Sequence, residues 1–524
     1  MPDGPQARPA ANAPNAASEP ARQNPQINKG VVLESGATFA FSEASGKALQ
    51  AEIKRGAFGP GIKSGFLVDA PVTVGEKGKL QIGNSPANDN QIAAGQDVVT
   101  IVNASKFGEK DVVFDAAKVT LAGKNRLENA RHAQTLVLTN GTLEGSPTFE
   151  LSNAFLSGTT KQVEKSTVLA VGLKDNAALK TDAATYGALK TIVNSPKAEK
   201  LLKLVSAVGE SSLAGFFSKE GALTAPGAKA VKEAATIPVA AGLYNAAYDA
   251  AREVTGAVER RSLAPSSGFG AWADVFYAKN EAASLYGSHG YSGTVKGGTL
   301  GFDGQLPFGT TAGVAFSVGT ADAKSEKTIG RYSTDSDFWA VTLYGGHELG
   351  IFRFSGDVSY LSFDNDLKGS LLGASVKEGA DASVLTAGLR TDVTIWESDG
   401  KNFSIVPHAG LRYTKIDAEN AFGLRSDSID VFEMPVGVKF AGRFEPAAGW
   451  LLSPSLDLTA VPQIGDKKVG TIAGDVNVLN NVYNATLGVT AAKENVAFGL
   501  SYRYGFGTDD RADQVLQARV SFSF

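Results

Sequence analysis

The 524-residue chain has no cysteine, which excludes disulfides, thiolate metal sites and cysteine nucleophiles. That absence suits a chain that crosses an oxidising compartment unfolded, where a disulfide would block threading. No run of 18 or more apolar residues occurs, so no transmembrane helix is predicted. A net charge of −4 gives no reason to invoke nucleic acid. The four histidines, His132, His289, His347 and His408, are scattered over separate segments and predict no metal site. No Gly-x-Ser-x-Gly elbow, His-Glu-x-x-His or phosphate loop is present. Residues 1–180 offer one histidine, His132, and no nucleophile motif. Neither an enzyme nor a cofactor is therefore predicted.

What is abundant is the raw material of a turn-rich β protein: 59 Gly, 28 Phe and 13 Tyr, against two Met. The chain ends Leu516-Gln517-Ala518-Arg519-Val520-Ser521-Phe522-Ser523-Phe524, apolar at every even position. Strict alternation makes a strand with one apolar and one polar face. The same scheme recurs upstream. Phe352, Phe354, Val358 and Tyr360 oppose Arg353, Ser355, Asp357 and Ser359, and Phe403, Ile405, Leu411 and Tyr413 oppose His408, Arg412 and Thr414. Phe432, Val436 and Phe440 oppose Glu433 and Lys439, Leu452 and Leu458 oppose Asp457, and Phe498 and Tyr502 oppose Arg503. About twelve such segments run from Phe269 to Phe524, near 269–279, 291–306, 311–321, 335–348, 351–363, 378–396, 402–416, 428–443, 450–463, 479–491, 495–506 and 514–524. Segments of about ten residues, apolar outward and polar inward, are the pattern of an antiparallel transmembrane β-barrel, and an even count suits a bacterial one. A soluble β-sandwich also alternates, but its outward face would carry more charge.

Upstream lies an Ala-rich segment from Pro226 to about Leu263, read as one slim helix interrupted by Pro238. Twelve strands leave room for a narrow helix in the lumen. Its charges then face the inward polar set: Arg353, Asp357, Arg390, Asp392, His408, Arg412, Glu433, Lys439, Asp457 and Arg503. Such charges would cost about 2–4 kcal/mol each facing lipid at the midplane. An ordinary surface helix is the alternative.

Residues 183–225 form a helical junction, with Leu189, Ile192, Leu201, Leu202, Leu204 and Val205 at helical spacing. Residues 30–182 are β-rich. Val31–Phe39 is echoed by Val72–Leu80 and, loosely, by Leu136–Leu143, the repetition of a β-solenoid, with a plain sandwich as the alternative. Residues 1–29, rich in Ala, Pro and Asn, read as disordered, without the basic and apolar regions of a secretory signal. A barrel bound for the outer membrane needs that signal, so the chain reads as a mature form, a fragment or the product of a mis-called start.

The order solenoid, helical junction, Ala-rich helix (226–263) and barrel (264–524) ending on Phe resembles a classical monomeric autotransporter of type V secretion. Gly270-Ala271-Trp272-Ala273-Asp274 resembles the family's Trp-bearing first strand, and Gly297-Gly298-Thr299-Leu300-Gly301-Phe302-Asp303 its second. The resemblance covers about residues 185–524. It implies a barrel in the outer membrane, a helix in its pore, and an upstream passenger, adhesive or structural, exported to the cell surface. It makes Leu516, Ala518, Val520, Phe522 and Phe524 a barrel-assembly signal. The implied partners are outer-membrane lipid, periplasmic chaperones, the barrel-assembly machinery and an unknown surface ligand, with the protein a monomer. Some members cut their passenger free by an Asn-mediated reaction. Asn245 is the one candidate in the helix, but the family's paired Asn is missing from Tyr244-Asn245-Ala246. The other function class is an outer-membrane diffusion channel with a periplasmic front domain, its Ala-rich segment outside the pore.

Overall fold

A computed structural model describes residues 153–524, apart from 164–165, 212–214, 263–267, 286–288 and positions 401, 426, 448, 466 and 509. From Val31 to Leu151 it describes the backbone of twelve short strands. Residues 1–29 and His132 lie outside the described residues. The chain divides into two compact units, Met1–Lys174 and Asp175–Phe524.

In the first unit the strands pair mainly in parallel. Val31–Leu33 pairs with Val72–Val74, and Thr38–Phe41 with Lys79–Ile82, both at an offset of 41 residues. That offset is the spacing of the echoed segments, as expected when successive turns stack. Val119–Leu121 and Leu143–Glu144 extend the first sheet, again in parallel. Stacked turns of a solenoid give parallel rungs, whereas a sandwich is built from antiparallel strands. The third echo departs in part from the scheme: its first strand, Gln134–Leu138, joins Thr100–Val102 in a different sheet, and only its end at Leu143 reaches the first one. An antiparallel hairpin, Leu156–Val163 with Ser166–Leu173, pairs against it and ends the unit.

The second unit opens with helices α1 (Asn176–Leu179), α2 (Ala183–Asn194) and α3 (Glu199–Glu210). Asp182 caps α2, its carboxylate accepting the Thr185 N–H at 2.9 Å. Leu201, Leu204, Val205 and Val208 make the buried stripe of α3. The Ala-rich segment is not one helix. It divides into α4 (Ala225–Ala235), α5 (Ile237–Ala240) and α6 (Leu243–Ser262). Pro238 sits in the first turn of α5, where a missing N–H costs nothing. Gly242, at φ +80°, turns the chain into α6. Only α6 enters the barrel. Lys229 and Glu233 of α4 instead bind the outer turn at 327–330: Glu233 accepts the N–H groups of Ile329 and Gly330, and Lys229 donates to the Lys327 carbonyl.

Twelve antiparallel strands close the barrel: β1 (Phe269–Ala282), β2 (Gly290–Leu306), β3 (Thr310–Glu326), β4 (Arg331–Leu349), β5 (Phe352–Leu371), β6 (Ala374–Val393), β7 (Phe403–Ala418), β8, β9 (Trp450–Val461), β10 (Val482–Lys493), β11 (Val496–Gly507) and β12 (Ala512–Ser523). Strand β8 runs in three pieces, Ile429–Glu433, Val436–Gly442 and Phe444–Ala447, the first break falling at Pro435, which has no N–H to pair. First and last strands join from Gly270↔Ser523 to Glu281↔Ala512, which removes every edge. With no water in lipid to satisfy backbone groups, closure of this kind is what lets strands span.

The hairpin of β5 and β6 runs on to a turn at Leu372-Gly373, well past the 363 and 378 limits expected from pattern. There the outward side chains change from Val358 and Tyr360 to Asp364, Asp366 and Lys368, so the apolar signal stops while backbone pairing continues. A membrane-spanning strand needs only about 9–11 residues. The excess stands clear of the lipid and carries α3, with Lys200 paired to Glu378 at 3.0 Å.

Candidate functional site: a charged helix in a charged lumen

Helix α6 is 20 residues long, about 30 Å at 1.5 Å per residue, or one hydrocarbon thickness. Gly242 meets Ala323 at the mouth carrying the longer loops, and the Ser262 carbonyl faces Gly346 near the short-turn mouth. The helix therefore traverses the whole lumen. Its small side chains let it lie against β2–β5, where Ala257 and Val258 pack with Trp272, Ala315 and Tyr344. Gly301 makes room for this packing: a Cβ there would stand 2.3 Å from the Trp272 ring.

Charged contacts run the length of the helix. At the long-loop end, Asp249 accepts the Tyr291 hydroxyl at 2.8 Å and faces Arg511 at 3.4 Å. Arg252 pairs with Asp513 at 3.1 Å. One level down, Glu253 binds Arg503 and accepts the Gln517 amide at 3.1 Å. Toward the short-turn end, Glu259 meets Arg390 at 2.5 Å and Arg412 at 3.9 Å. Arg261 forms a fork with Asp303, Nε and Nη2 donating at 2.6 and 2.7 Å. The Tyr344 hydroxyl donates to the same Asp303, and the Trp272 indole N–H donates to Tyr344 at 2.6 Å.

Of the ten inward polar residues named from alternation, Arg390, Arg412, Glu433 and Arg503 touch the helix, Glu433 through the Tyr248 hydroxyl. Asp357 and Asp392 hold Arg412 and Arg390 in place at 2.8 Å each. His408 Nε2 lies 3.1 Å from Asp457, and Lys439 lines the remaining space. Arg353 binds Glu348 across the adjacent short turn, away from the helix. Asn245 is buried, its Nδ2 donating to the Val478 carbonyl at 2.6 Å. Of the terminal set, Leu516, Ala518 and Phe522 face outward and Phe524 is 81% exposed.

Asp303, Asp513, Arg511, Arg519 and Tyr291 were not in the inward polar set named from sequence, although Asp303 and Arg519 stand in the quoted strand motifs. Arg519 and Asp513 lie on the inward phase of β12, so alternation alone could have found them. Arg519 donates to Asp274 at 3.1 Å and its guanidinium lies 5.0 Å from the Trp272 ring centre. Arg511 sits in the turn before β12, where no periodicity points to it.

Beside the helix, toward β9–β12, a cavity of about 940 Å³ remains. Ser455, Thr486, Ser501 and Lys439 line its walls, and Ser523 and Phe524 its short-turn end. Above it the lumen is closed by Tyr248, Gln463, Asn480 and Arg511, with Gln463 donating to Tyr248 at 3.0 Å and Arg511 to Asn480 at 3.1 Å. Among the described residues no group of three or more His, Asp or Glu is placed to hold a metal, and no helix is long and apolar enough to cross a membrane.

The fold and the lumen define a 12-stranded outer-membrane β-barrel with a helix of its own chain in the pore. The family model for the autotransporter beta-domain matches residues 271–509. The barrel is thus an autotransporter beta-domain, the translocator part of that family. Similar solved structures include the translocator domain of NalP from Neisseria meningitidis, at 15% identity and a TM-score of 0.45, covering 55% of this chain and 99% of that one. The beta domain of Bordetella BrkA matches at 17% identity and a TM-score of 0.40, covering 49% of this chain and 100% of that one. The transport unit of AIDA-I from Escherichia coli matches at 13% identity and a TM-score of 0.40, covering 52% and 98%. No curated protein matches the sequence.

Proposed function

We propose that the barrel exports the residues upstream of it and displays them at the cell surface, with 30–182 as an adhesive or structural passenger. The observation that carries this reading is the direction of α6. Its C-terminal end leads to β1 at the short-turn mouth, while its N-terminal end and helices α4 and α5 stand at the long-loop mouth. In outer-membrane barrels the short turns are periplasmic and the long loops extracellular. A chain in this position has passed from inside to outside through its own barrel. The diffusion-channel reading needs the Ala-rich segment outside the pore, and α6 inside it favours export. The parallel, solenoid-like rungs supply an extended surface for binding rather than an enclosed reaction site.

The test uses a version carrying a secretory signal, expressed in a Gram-negative host, with an epitope near residue 100. External protease on intact cells should remove the epitope and leave the barrel band. Protection of the epitope, in cells whose barrel is heat-modifiable in the outer membrane, would refute display.

A further inference from the structure

We infer that three helix charges, Arg252, Glu259 and Arg261, fix the axial register of α6, and so set where the exported chain comes to rest. This rests on the export reading above. The need for such a device lies in the helix sequence. Tyr244-Asn245-Ala246-Ala247 is followed directly by Tyr248-Asp249-Ala250-Ala251, and Val254 by Val258 four residues on. Four residues make about 400° of helix, so a slip of that size returns each side chain to nearly the same face. Tyrosine would replace tyrosine, alanine alanine, and valine valine. Apolar packing is thus nearly blind to a one-turn slip, even though all ten of these positions are buried and all but Asn245 and Asp249 are apolar or aromatic.

The charges are not blind to it. In the observed register Arg511, Asp513, Arg503, Arg390 and Asp303 face Asp249, Arg252, Glu253, Glu259 and Arg261. If each wall residue met the position four earlier, Arg511 would face Asn245, Asp513 Tyr248, Arg390 Thr255 and Asp303 Ala257. Only Arg503 would keep a carboxylate, that of Asp249. A slip the other way presents Gly256 to Asp513 and Ala257 to Arg503, leaves Arg390 and Asp303 beyond Ser262, the last helical residue, and only Arg511 keeps a partner, Glu253. Either slip strands four of the five wall charges. The series Asn245, Asp249, Glu253 keeps one pair under either shift, and Asp274, 3.7 Å from Arg260, keeps Arg519 as its partner whatever the helix does, which leaves Arg252, Glu259 and Arg261 as the positions that refuse a slip. A buried polar group that fixes register at little net gain in stability is the best-attested use of such pairs.

The absence of cysteine makes the register directly readable. Cysteine is placed at Ala315, which packs in the cluster with Val258, and paired in separate proteins with Val258→Cys or Val254→Cys. These two positions lie about 6 Å apart along the axis, enough to discriminate a disulfide. In the otherwise unaltered, purified full chain the 258 pair should form at least about tenfold more disulfide than the 254 pair, a factor worth about 1.4 kcal/mol. With Arg252→Gln, Glu259→Gln and Arg261→Gln together, the two yields should approach one another. Heat-modifiability of the same samples establishes that the barrel is folded. Adding Asp303→Arg and replacing Arg261→Gln by Arg261→Glu rebuilds one pair with its signs exchanged, and should restore the preference for 258. A folded neutralised protein that keeps the full preference would overturn the inference, as would failure of the exchanged pair to restore it. Because the disulfide is read in purified protein, loss of register and loss of surface display are scored separately.

Discussion

Replacing Arg261 by Gln should loosen the helix at its short-turn end by a measurable amount. The fork to Asp303 joins two side chains only 6% and 1% exposed, at 2.6 and 2.7 Å. Removing one partner of a buried pair leaves the other charged and desolvated, at about 3–5 kcal/mol. Tyr344 still donates to Asp303 and recovers part of this, so about 3 kcal/mol is expected, near the top of the range for a hydrogen bond to a charged group. At about 1.4 kcal/mol per decade, the population of undocked helix should rise roughly 100-fold. Purified protein in a planar bilayer reads that population as brief openings of an otherwise nearly closed pore, and limited proteolysis within 243–262 reads it independently. The double variant Arg261→Met, Asp303→Leu leaves no charge stranded and should return most of the closed state. The reasoning fails if the single variant stays as closed as the parent, or if the double variant opens as readily as the single one.

Gly301→Val should prevent assembly of a heat-modifiable barrel, because its Cβ would stand 2.3 Å from the Trp272 ring. Trp272→Ala in the same chain should recover part of the folded fraction, and equal yields for Gly301→Val and parent would contradict the packing argument. Asp337, Asp364 and Asp381 stand in direct register on the outer face of β4, β5 and β6. Like charges placed so repel, and Asp364→Asn should raise stability by about 0.2–1 kcal/mol at low salt. The gain should shrink in about 1 M salt, and a loss of stability in urea melts would count against it. Burial first, and then the nearby Lys229 ammonium, push the His289 imidazole down to about 4, against the opposing backbone hydrogen bond to Val239. A base with a depressed value favours the docked state fully above its ordinary value of about 6.5, and that contribution drains away as pH falls toward 4. Protease sensitivity of 176–240 should therefore increase between about pH 6.5 and 4 in the parent and much less in His289→Gln. Identical profiles would remove His289 as the cause.

Alternation by itself determined the barrel. With one face in lipid and the other in a polar lumen, a side-chain period of two is forced on every strand, and so Phe354 and Asp357 declare their sides through their place in the pattern. Composition likewise marked the Ala-rich segment as slim enough for the pore, and the 41-residue echo of Val31–Phe39 matched the register in which those strands pair. Tertiary structure decided what periodicity cannot carry. Alternation gives the side of Arg353 and Arg390 but not their depth, and depth separates an arginine bound to Glu348 at a turn from one holding Glu259 in the lumen. The extension of β5 and β6 past Phe363 leaves no mark in the pattern because backbone pairing, unlike lipid contact, demands no apolar side chain. Pro238 marked one break of the predicted helix in the sequence, but the second, between α5 and α6, turned on the positive φ of Gly242 pressed against Ala323, a contact made 81 residues away in sequence. Arg511 came to the helix through closure of the barrel, which brings the last hairpin beside the first strand. Local pattern fixes which way a side chain points, and only the closed ring fixes what it meets.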